Sequence, residues 1–212
     1  MKKHLFKITI FSLLLMVSHY SNAQFQGSIQ FEKTVGSMNI NYKYYVKENK
    51  VRIEEISASG VIEGIQLVDI KENKVFAISP ERKLYLEAPV RRPAADMKVA
   101  VNKTEKVKTI LGQDCQQIIV INKEQDRKIV YWVTEGNYSF FIPLLESLNR
   151  KEKQALYYLK IKGLNNYWPM KSLEYVLSTG DLVSEMITKI IDETEQSTSL
   201  FEIPNDYSKF EH

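Results

Sequence analysis

The stretch Met38-Asn-Ile-Asn-Tyr-Lys-Tyr-Tyr-Val-Lys47 carries apolar or aromatic side chains at every second position. A period of two is typical of a β-strand that buries one face and exposes the other. Polar residues 48–50 then supply a turn, and residues 51–54 have the pattern of a return strand. This hairpin predicts that the chain folds as an antiparallel β-protein.

Similar alternation recurs along most of the chain, and turn residues separate the predicted strands. We therefore expect a mainly β fold with about ten short antiparallel strands. Beyond the first hairpin, the predicted strands lie at residues 25–32, 64–70, 74–78, 83–87, 107–111, 115–122, 127–134, 170–177, 182–191 and 200–203. A sheet of this width twists and curls, so we expect an unclosed half-barrel. Residues 88–95 interrupt the pattern as a loop, but no long linker divides residues 24–212, which we interpret as one domain.

Residues 138–160 depart from this period, because their apolar side chains follow helical spacing. These side chains are Phe141, Leu144, Leu145, Leu148, Ala155, Leu156 and Leu159. Residues 149–151 leave open a division into two shorter helices. The concave face of a curled sheet must be covered, and this is the only amphipathic helix in the sequence. We therefore expect it to lie over that face.

Residues 1–23 have the layout of a secretory signal peptide. Lysines at positions 2, 3 and 7 precede an apolar run at residues 8–17, and Ser21-Asn22-Ala23 offers small residues for cleavage. The apolar run is about ten residues long, whereas a membrane-spanning helix needs roughly 20. We predict cleavage after Ala23 and a soluble periplasmic protein. The alternative is an uncleaved membrane anchor.

Charge argues against a nucleic-acid partner. The chain has 29 lysines and arginines and 26 aspartates and glutamates. Residues 1–23 contain three of the lysines and no acidic residue, so residues 24–212 carry no net charge. They lack the basic surplus with which proteins bind phosphate backbones.

Histidine is too scarce for the common catalytic arrangements. The only histidines are His4, His19 and His212, so the predicted mature chain has none in its interior. A Ser-His-Asp or Cys-His site cannot be built, and the commonest general base and metal ligand are missing. Adjacent acidic residues such as Glu54 and Glu55 would point to opposite faces of a strand. We therefore expect no enzyme activity, no metal site and no cofactor.

Two further features have both a structural and a functional interpretation. Cys115 begins an apolar strand, which favours a buried, inert cysteine over a reactive thiol. A basic stretch indicates either a solvated surface or a site for an anionic headgroup or acidic partner. It comprises Arg91, Arg92, Lys98, Lys103, Lys106 and Lys108.

Four segments carry a resemblance to known proteins. They are Phe25-Gln-Gly-Ser-Ile-Gln-Phe-Glu32, Lys106-Val-Lys-Thr-Ile-Leu-Gly-Gln-Asp-Cys115, Trp132-Val-Thr134 and Phe201-Glu-Ile-Pro-Asn-Asp-Tyr207. The chain resembles a family of uncharacterised envelope proteins of Gram-negative bacteria, labelled only as a domain of unknown function. More distantly, it is similar to the lipoprotein carriers LolA and LolB. That resemblance implies an incomplete barrel with helices over an apolar cavity that shelters acyl chains.

The chain departs from those carriers in two respects. It enters a strand directly after the predicted cleavage site, without their leading helix. It also lacks a recognisable equivalent of their acyl-binding arginine, for which Arg52, Arg91 and Arg92 are equal candidates.

Aromatic residues are frequent, with 12 tyrosines, 9 phenylalanines and 2 tryptophans. If the helix covers the sheet, side chains from both would line an apolar cavity suited to an acyl chain. The predicted ligand-binding residues are Phe31, Tyr42, Tyr44, Phe76, Tyr85, Trp132, Phe141, Leu145, Leu148 and Trp168. The alternative is ordinary core packing with cross-strand aromatic pairs.

Three functions follow as hypotheses. The first is a periplasmic binder of a lipid or other hydrophobic ligand, which requires a cavity of roughly several hundred Å³ between sheet and helix. The second is an envelope interaction or assembly module with a protein partner and no small ligand. It would have a filled interior and an exposed apolar patch or strand edge. The third, an enzyme acting through carboxylates or tyrosine, has no positive support in the sequence.

Overall fold

Twelve strands form one sheet in the computed structural model, which describes residues 24–88, 97–148 and 150–210. The predicted signal peptide and most of the predicted loop at 88–95, with Arg91 and Arg92, lie outside these residues. The strands are β1 Gly27–Val35, β2 Met38–Lys47, β3 Lys50–Ile56, β4 Ile62–Asp69, β5 Lys74–Ser79, β6 Leu84–Glu87, β7 Ala100–Ile110, β8 Gln113–Asn122, β9 Arg127–Glu135, β10 Tyr167–Val176, β11 Leu182–Asp192 and β12 Ser208–Lys209.

The sheet order is β12-β6-β5-β4-β3-β2-β1-β11-β10-β9-β8-β7. Sequential strands pair as antiparallel hairpins, and the antiparallel pairing of β1 with β11 joins the two halves of the sheet. Strand β12 pairs in parallel with β6. Among the described residues β12 and β7 are the two edges, so the sheet stays open. The prediction of a mainly β, unclosed half-barrel is confirmed, with twelve strands instead of about ten.

The concave face of the sheet carries the core. Phe31 lies opposite Tyr42, and Ile29 lies opposite Tyr44, so these four side chains share one face. All four are buried, as is Val46 further along β2. The period of two in Met38–Lys47 therefore decides which residues of this strand enter the core.

Two helices, α1 at Phe141–Leu148 and α2 at Lys153–Tyr158, lie over the concave face. Helix α1 buries all four apolar residues of its predicted stripe. The predicted helical segment is thus confirmed as the cover of the sheet, and it is divided near residue 150. No helix within the described ranges combines the length and hydropathy needed to span a membrane.

The C-terminal segment lies on the convex face. Leu67 and Val68 are adjacent in β4, and Val68 joins the main core, so Leu67 points to the opposite side. A second apolar cluster forms there between β4–β6 and the C-terminal segment, through Ile203 and Tyr207. The strand predicted at 200–203 is wrong, because Thr198–Phe201 forms a 3-10 helix and the final strand is β12.

Candidate functional site

A cavity of about 80 Å³ lies between the helices and the concave face, and its walls are mainly apolar. Of the predicted ligand-binding residues, those that line it are Phe31, Tyr42, Tyr44, Phe141, Leu145, Leu148 and Trp168. The cavity is much smaller than the several hundred Å³ expected of a formed acyl-binding pocket. An acyl chain of a dozen carbons would fit only if α1 or the aromatic side chains moved.

Trp168 explains why the cavity is small. Its ring centroid lies 4.6 Å from that of Phe141 and 6.1 Å from that of Phe31, so it fills the space between helix and sheet. The indole N–H donates a hydrogen bond of 2.9 Å to Thr188 Oγ1, which fixes the ring from the sheet side. A buried tryptophan of this kind needs such a partner for its one polar atom.

Three charged side chains surround the mouth of the cavity. Lys33 Nζ lies 2.5 Å from Glu152 Oε2. Arg150 Nη2 donates a hydrogen bond of 2.9 Å to Gln66 Oε1, while its Nη1 lies 3.9 Å from Glu152 Oε1. One carboxylate is therefore shared unequally by two cations, and the guanidinium has its short contact with a neutral amide.

Two tyrosines, Tyr42 and Tyr44, line the cavity near Arg150. Burial, reinforced by the nearby Glu55 carboxylate, raises the pKa of Tyr42 above its ordinary value, and burial likewise raises the pKa of Tyr44. Both tyrosines are therefore neutral at physiological pH. Their O–H groups can donate hydrogen bonds beside the Arg150 guanidinium.

Three of the predicted ligand-binding residues, Phe76, Tyr85 and Trp132, lie away from this cavity. Phe76 and Tyr85 pack against each other on the convex face, with ring centroids 6.4 Å apart, beneath the C-terminal segment. Trp132 follows the cavity-lining Tyr131 in β9, so its side chain points to the other face. Lys108 Nζ lies 6.0 Å from its ring centroid.

The candidate arginine at position 52 is also on the wrong face for this cavity. Arg52 Nη2 lies 2.7 Å from Glu54 Oε1, and Nη1 donates a hydrogen bond to the Leu200 carbonyl oxygen. It therefore holds the C-terminal segment on the convex face. The cavity arginine is Arg150, which sequence reasoning missed. The one feature of the sequence that pointed to Arg150 is that a basic residue stands at the break within the predicted helical segment.

Helix α2 is tied to the sheet by a hydrogen-bonded network. The Tyr131 hydroxyl donates to the Gln154 carbonyl oxygen at 2.6 Å. The Gln154 side chain accepts from Ser172 Oγ at 2.7 Å and donates to Ser184 Oγ at 2.8 Å. Ser184 Oγ in turn donates to Glu174 Oε2 at 3.0 Å. Helix α1 has mainly apolar contacts, so the two helices are held by different forces.

The cysteine and the acidic residues that could take part in catalysis or metal binding lie apart from one another. Cys115 is fully buried, and burial raises the pKa of its thiol, which agrees with the inert interpretation. Glu54 faces the convex side and Glu55 the concave side, as their adjacency predicts. Within the described residues, no group of three or more histidine, cysteine or acidic side chains is placed to hold a metal ion.

A wider depression of about 620 Å³ lies at the opposite end of the sheet, beside Tyr138. Its lining includes the carboxylates of Asp114, Glu135 and Glu193. Because an acyl chain gains little from acidic walls, the smaller cavity is the better candidate for an apolar ligand.

Comparison with known proteins gives the chain a family but no activity. No curated protein matches it. An uncharacterised conserved protein from Thermus thermophilus is 8% identical, with a TM-score of 0.54, and the match covers 89% of this chain and 91% of that one. This likeness shows the fold alone.

Two further solved structures have lower TM-scores. PNGF-II is 11% identical, with a TM-score of 0.45, over 86% of this chain and 30% of that chain. A LolA superfamily protein from Nitrosomonas europaea is 9% identical, with a TM-score of 0.35, over 86% and 91%. The model of the domain of unknown function DUF4412 matches residues 25–207, which confirms the expected membership of an uncharacterised family. The chain belongs to the DUF4412 family.

Proposed function

We propose that this protein is an exported, non-enzymatic binder of an acyl chain or another hydrophobic ligand, held between α1 and the concave face. The observation that carries the proposal is the apolar cavity with cations at its mouth. A ligand of this class would place its chain among the aromatic side chains and its polar end beside Arg150. Binding shields acyl carbons from water, and each buried CH₂ contributes about 0.8 kcal/mol.

Ligand uptake requires the cavity to grow, and α1 is the element that can move. It contacts the sheet through Phe141, Leu144, Leu145 and Leu148. An acyl chain offers these side chains an equivalent apolar surface, so the exchange costs little hydrophobic energy. Helix α2 stays in place because Gln154 would lose several hydrogen bonds if it left the sheet.

The two cations at the mouth of the cavity favour a ligand whose polar end is anionic. Glu152 is the carboxylate that Lys33 and Arg150 share, and it is partly exposed. A fatty-acid carboxylate or a phosphate can take its place and bind both cations, while Glu152 turns to water. The ligand class that fits best is therefore an amphiphile with one negative charge next to its chain.

The direct test is native mass spectrometry of the purified protein, followed by titration with a fluorescent fatty acid. Leu145→Gln puts a polar group into the cavity wall and should weaken binding about tenfold or more. Glu146→Gln changes the neighbouring exposed residue of α1 and is the matched control. A clean unliganded mass, together with no uptake of the fluorescent fatty acid, would contradict the proposal.

A second function, an envelope interaction module without a small ligand, has its own supporting observation. The interior around Trp168 is well filled. Within the part of the chain that the structure describes, β7 is an eleven-residue edge strand that is exposed along most of its length. Val107 on this edge is 64% exposed. An unpaired strand edge can add a strand from another chain. Crosslinking in cells from position 107 should then capture one specific partner, whereas recovery of the monomer alone would contradict this function.

A further inference from the structure

Three neighbouring turns at one end of the sheet each have one exposed apolar side chain, which lies within the turn or on the first residue of the strand that follows it. The turns, at residues 36–37, 57–61 and 177–181, join β1 to β2, β3 to β4 and β10 to β11. Met38, Val61 and Leu182 are 62%, 61% and 53% exposed. The sheet order β4-β3-β2-β1-β11-β10 makes the three turns consecutive along one rim. We call them the rim turns.

The rim turns differ in charge from the turns beside them. They contain a single charged residue, Asp181, whose carboxylate accepts a hydrogen bond of 2.6 Å from Thr179 Oγ1. The next turns at the same end, residues 80–83 and 123–126, are charged at every position except Pro80 and Gln125. A run of nearly uncharged, small-residue turns is thus bounded on both sides by charged ones.

The rim turns border the mouth of the cavity. Val35 lies opposite Met38 at the rim, and Lys33 lies opposite Ile40 two positions further in. Two residues of a strand span about 7 Å. The ion pair between Lys33 and Glu152 at the mouth is therefore close behind the rim.

We propose that the rim turns dock the protein onto a lipid bilayer, with Met38, Val61 and Leu182 entering its interfacial region. Neighbouring strands lie about 5 Å apart, so apolar side chains two strands apart are spaced by about 10 Å. Serine and glycine separate them, so they do not make the continuous apolar centre of a protein–protein interface. Separate apolar side chains at nearly uncharged turns can each enter a fluid layer. The proposal does not depend on the proposed ligand, although docking would bring the cavity mouth to a source of acyl chains.

The test is flotation of the purified protein with phosphatidylcholine vesicles. The variant Met38→Asp, Val61→Asp, Leu182→Asp should weaken vesicle binding by at least about tenfold, because each change removes an apolar side chain from the contact. Leu111→Asp is the matched control, since Leu111 is 53% exposed in the turn between β7 and β8 at the opposite end of the sheet. It should float like the unaltered protein. Circular dichroism and thermal unfolding check that all variants are folded.

Equal flotation of the triple variant and the unaltered protein would overturn the proposal, as would no flotation of the unaltered protein. The proposal would also be overturned if the unaltered protein did not float but formed a dimer in solution that the triple variant did not form. The rim turns would then contact a second copy of the chain. Uptake of a fluorescent fatty acid is measured on the same samples. The triple variant should retain that uptake, so failure of docking and failure of ligand binding give different results.

Discussion

The Arg150 guanidinium donates a hydrogen bond of 2.9 Å to Gln66 Oε1, which ties the segment between α1 and α2 to strand β4. Arg150 is thus a cation at the wall of an apolar cavity, and its short hydrogen bond goes to a neutral amide. Its nearest carboxylate, Glu152, is closer to Lys33. The arrangement leaves guanidinium donors for an anion at the mouth.

Arg150→Gln should weaken binding of a fluorescent fatty acid by about tenfold to a hundredfold, the range of one charge-assisted hydrogen bond. Uptake of a neutral, uncharged analogue should change less. Arg52→Gln is the control, because it removes an arginine from the convex face. Equal losses for both ligands, or equal losses in both variants, would contradict a headgroup role for Arg150.

Thr188→Val should lower the free energy of unfolding by about 1–3 kcal/mol, because the buried Trp168 N–H would lose its partner. Urea titration followed by tryptophan fluorescence measures the change. Thr179→Val, in an exposed turn, is the comparison and should stay within about 0.5 kcal/mol of the unaltered protein. A loss in Thr188→Val no larger than in the comparison would show that the indole bond is dispensable.

Gln154→Leu should loosen α2, because Ser172 and Ser184 would each lose the hydrogen bond that they share with the Gln154 side chain. We expect faster amide hydrogen exchange in α2 and little change in β3 and β4. Lys151→Gln, an exposed change just before the helix, should leave exchange unchanged. If exchange in α2 stays slow in Gln154→Leu, apolar contacts alone hold the helix.

Alkaline pH should destabilise the fold through Tyr157. Burial raises the pKa of this tyrosine from its ordinary 10.0 to about 12. The folded state thus holds the proton more tightly than the unfolded state, so this stability is fully present below pH 10 and is lost as pH rises towards 12. Urea titrations between about pH 9 and 12 should show a smaller loss in Tyr157→Phe than in the unaltered protein. Identical pH dependence in the two would contradict this assignment.

The fold was predictable where the pattern is local. The period of two in Met38–Lys47 and the helical spacing from Phe141 to Leu148 depend on neighbours in sequence, and both determine which side chains are buried. It is harder to predict which side chains of a strand enter the main core when the residues on both of its faces are apolar. Val75 and Phe76 are both apolar neighbours in β5, yet Val75 packs against the main core and Phe76 lies beneath the C-terminal segment.

The charged mouth was not predictable, because it joins residues that are remote in sequence. Lys33, Gln66, Arg150 and Glu152 come from three separate parts of the chain. Nothing in the residues beside Arg150 indicates that Gln66 will face it. The three exposed apolar residues at the rim turns likewise carry no signal when each is taken alone, because only the strand order makes them neighbours.

The pairing of β1 with β11 has a consequence for the kinetics of folding. Phe31 lies opposite Thr188, so the centre of the sheet closes only when nearly the whole chain is available. Contacts of such long sequence separation carry a high loop-closure cost and slow the folding reaction to about milliseconds to seconds. The hairpins on either side can form early. Until β1 pairs with β11, however, neither half has the complete concave face that the helices cover. We therefore expect the pairing of β1 with β11 to limit the rate of folding, so that both halves of the chain reach the native state together.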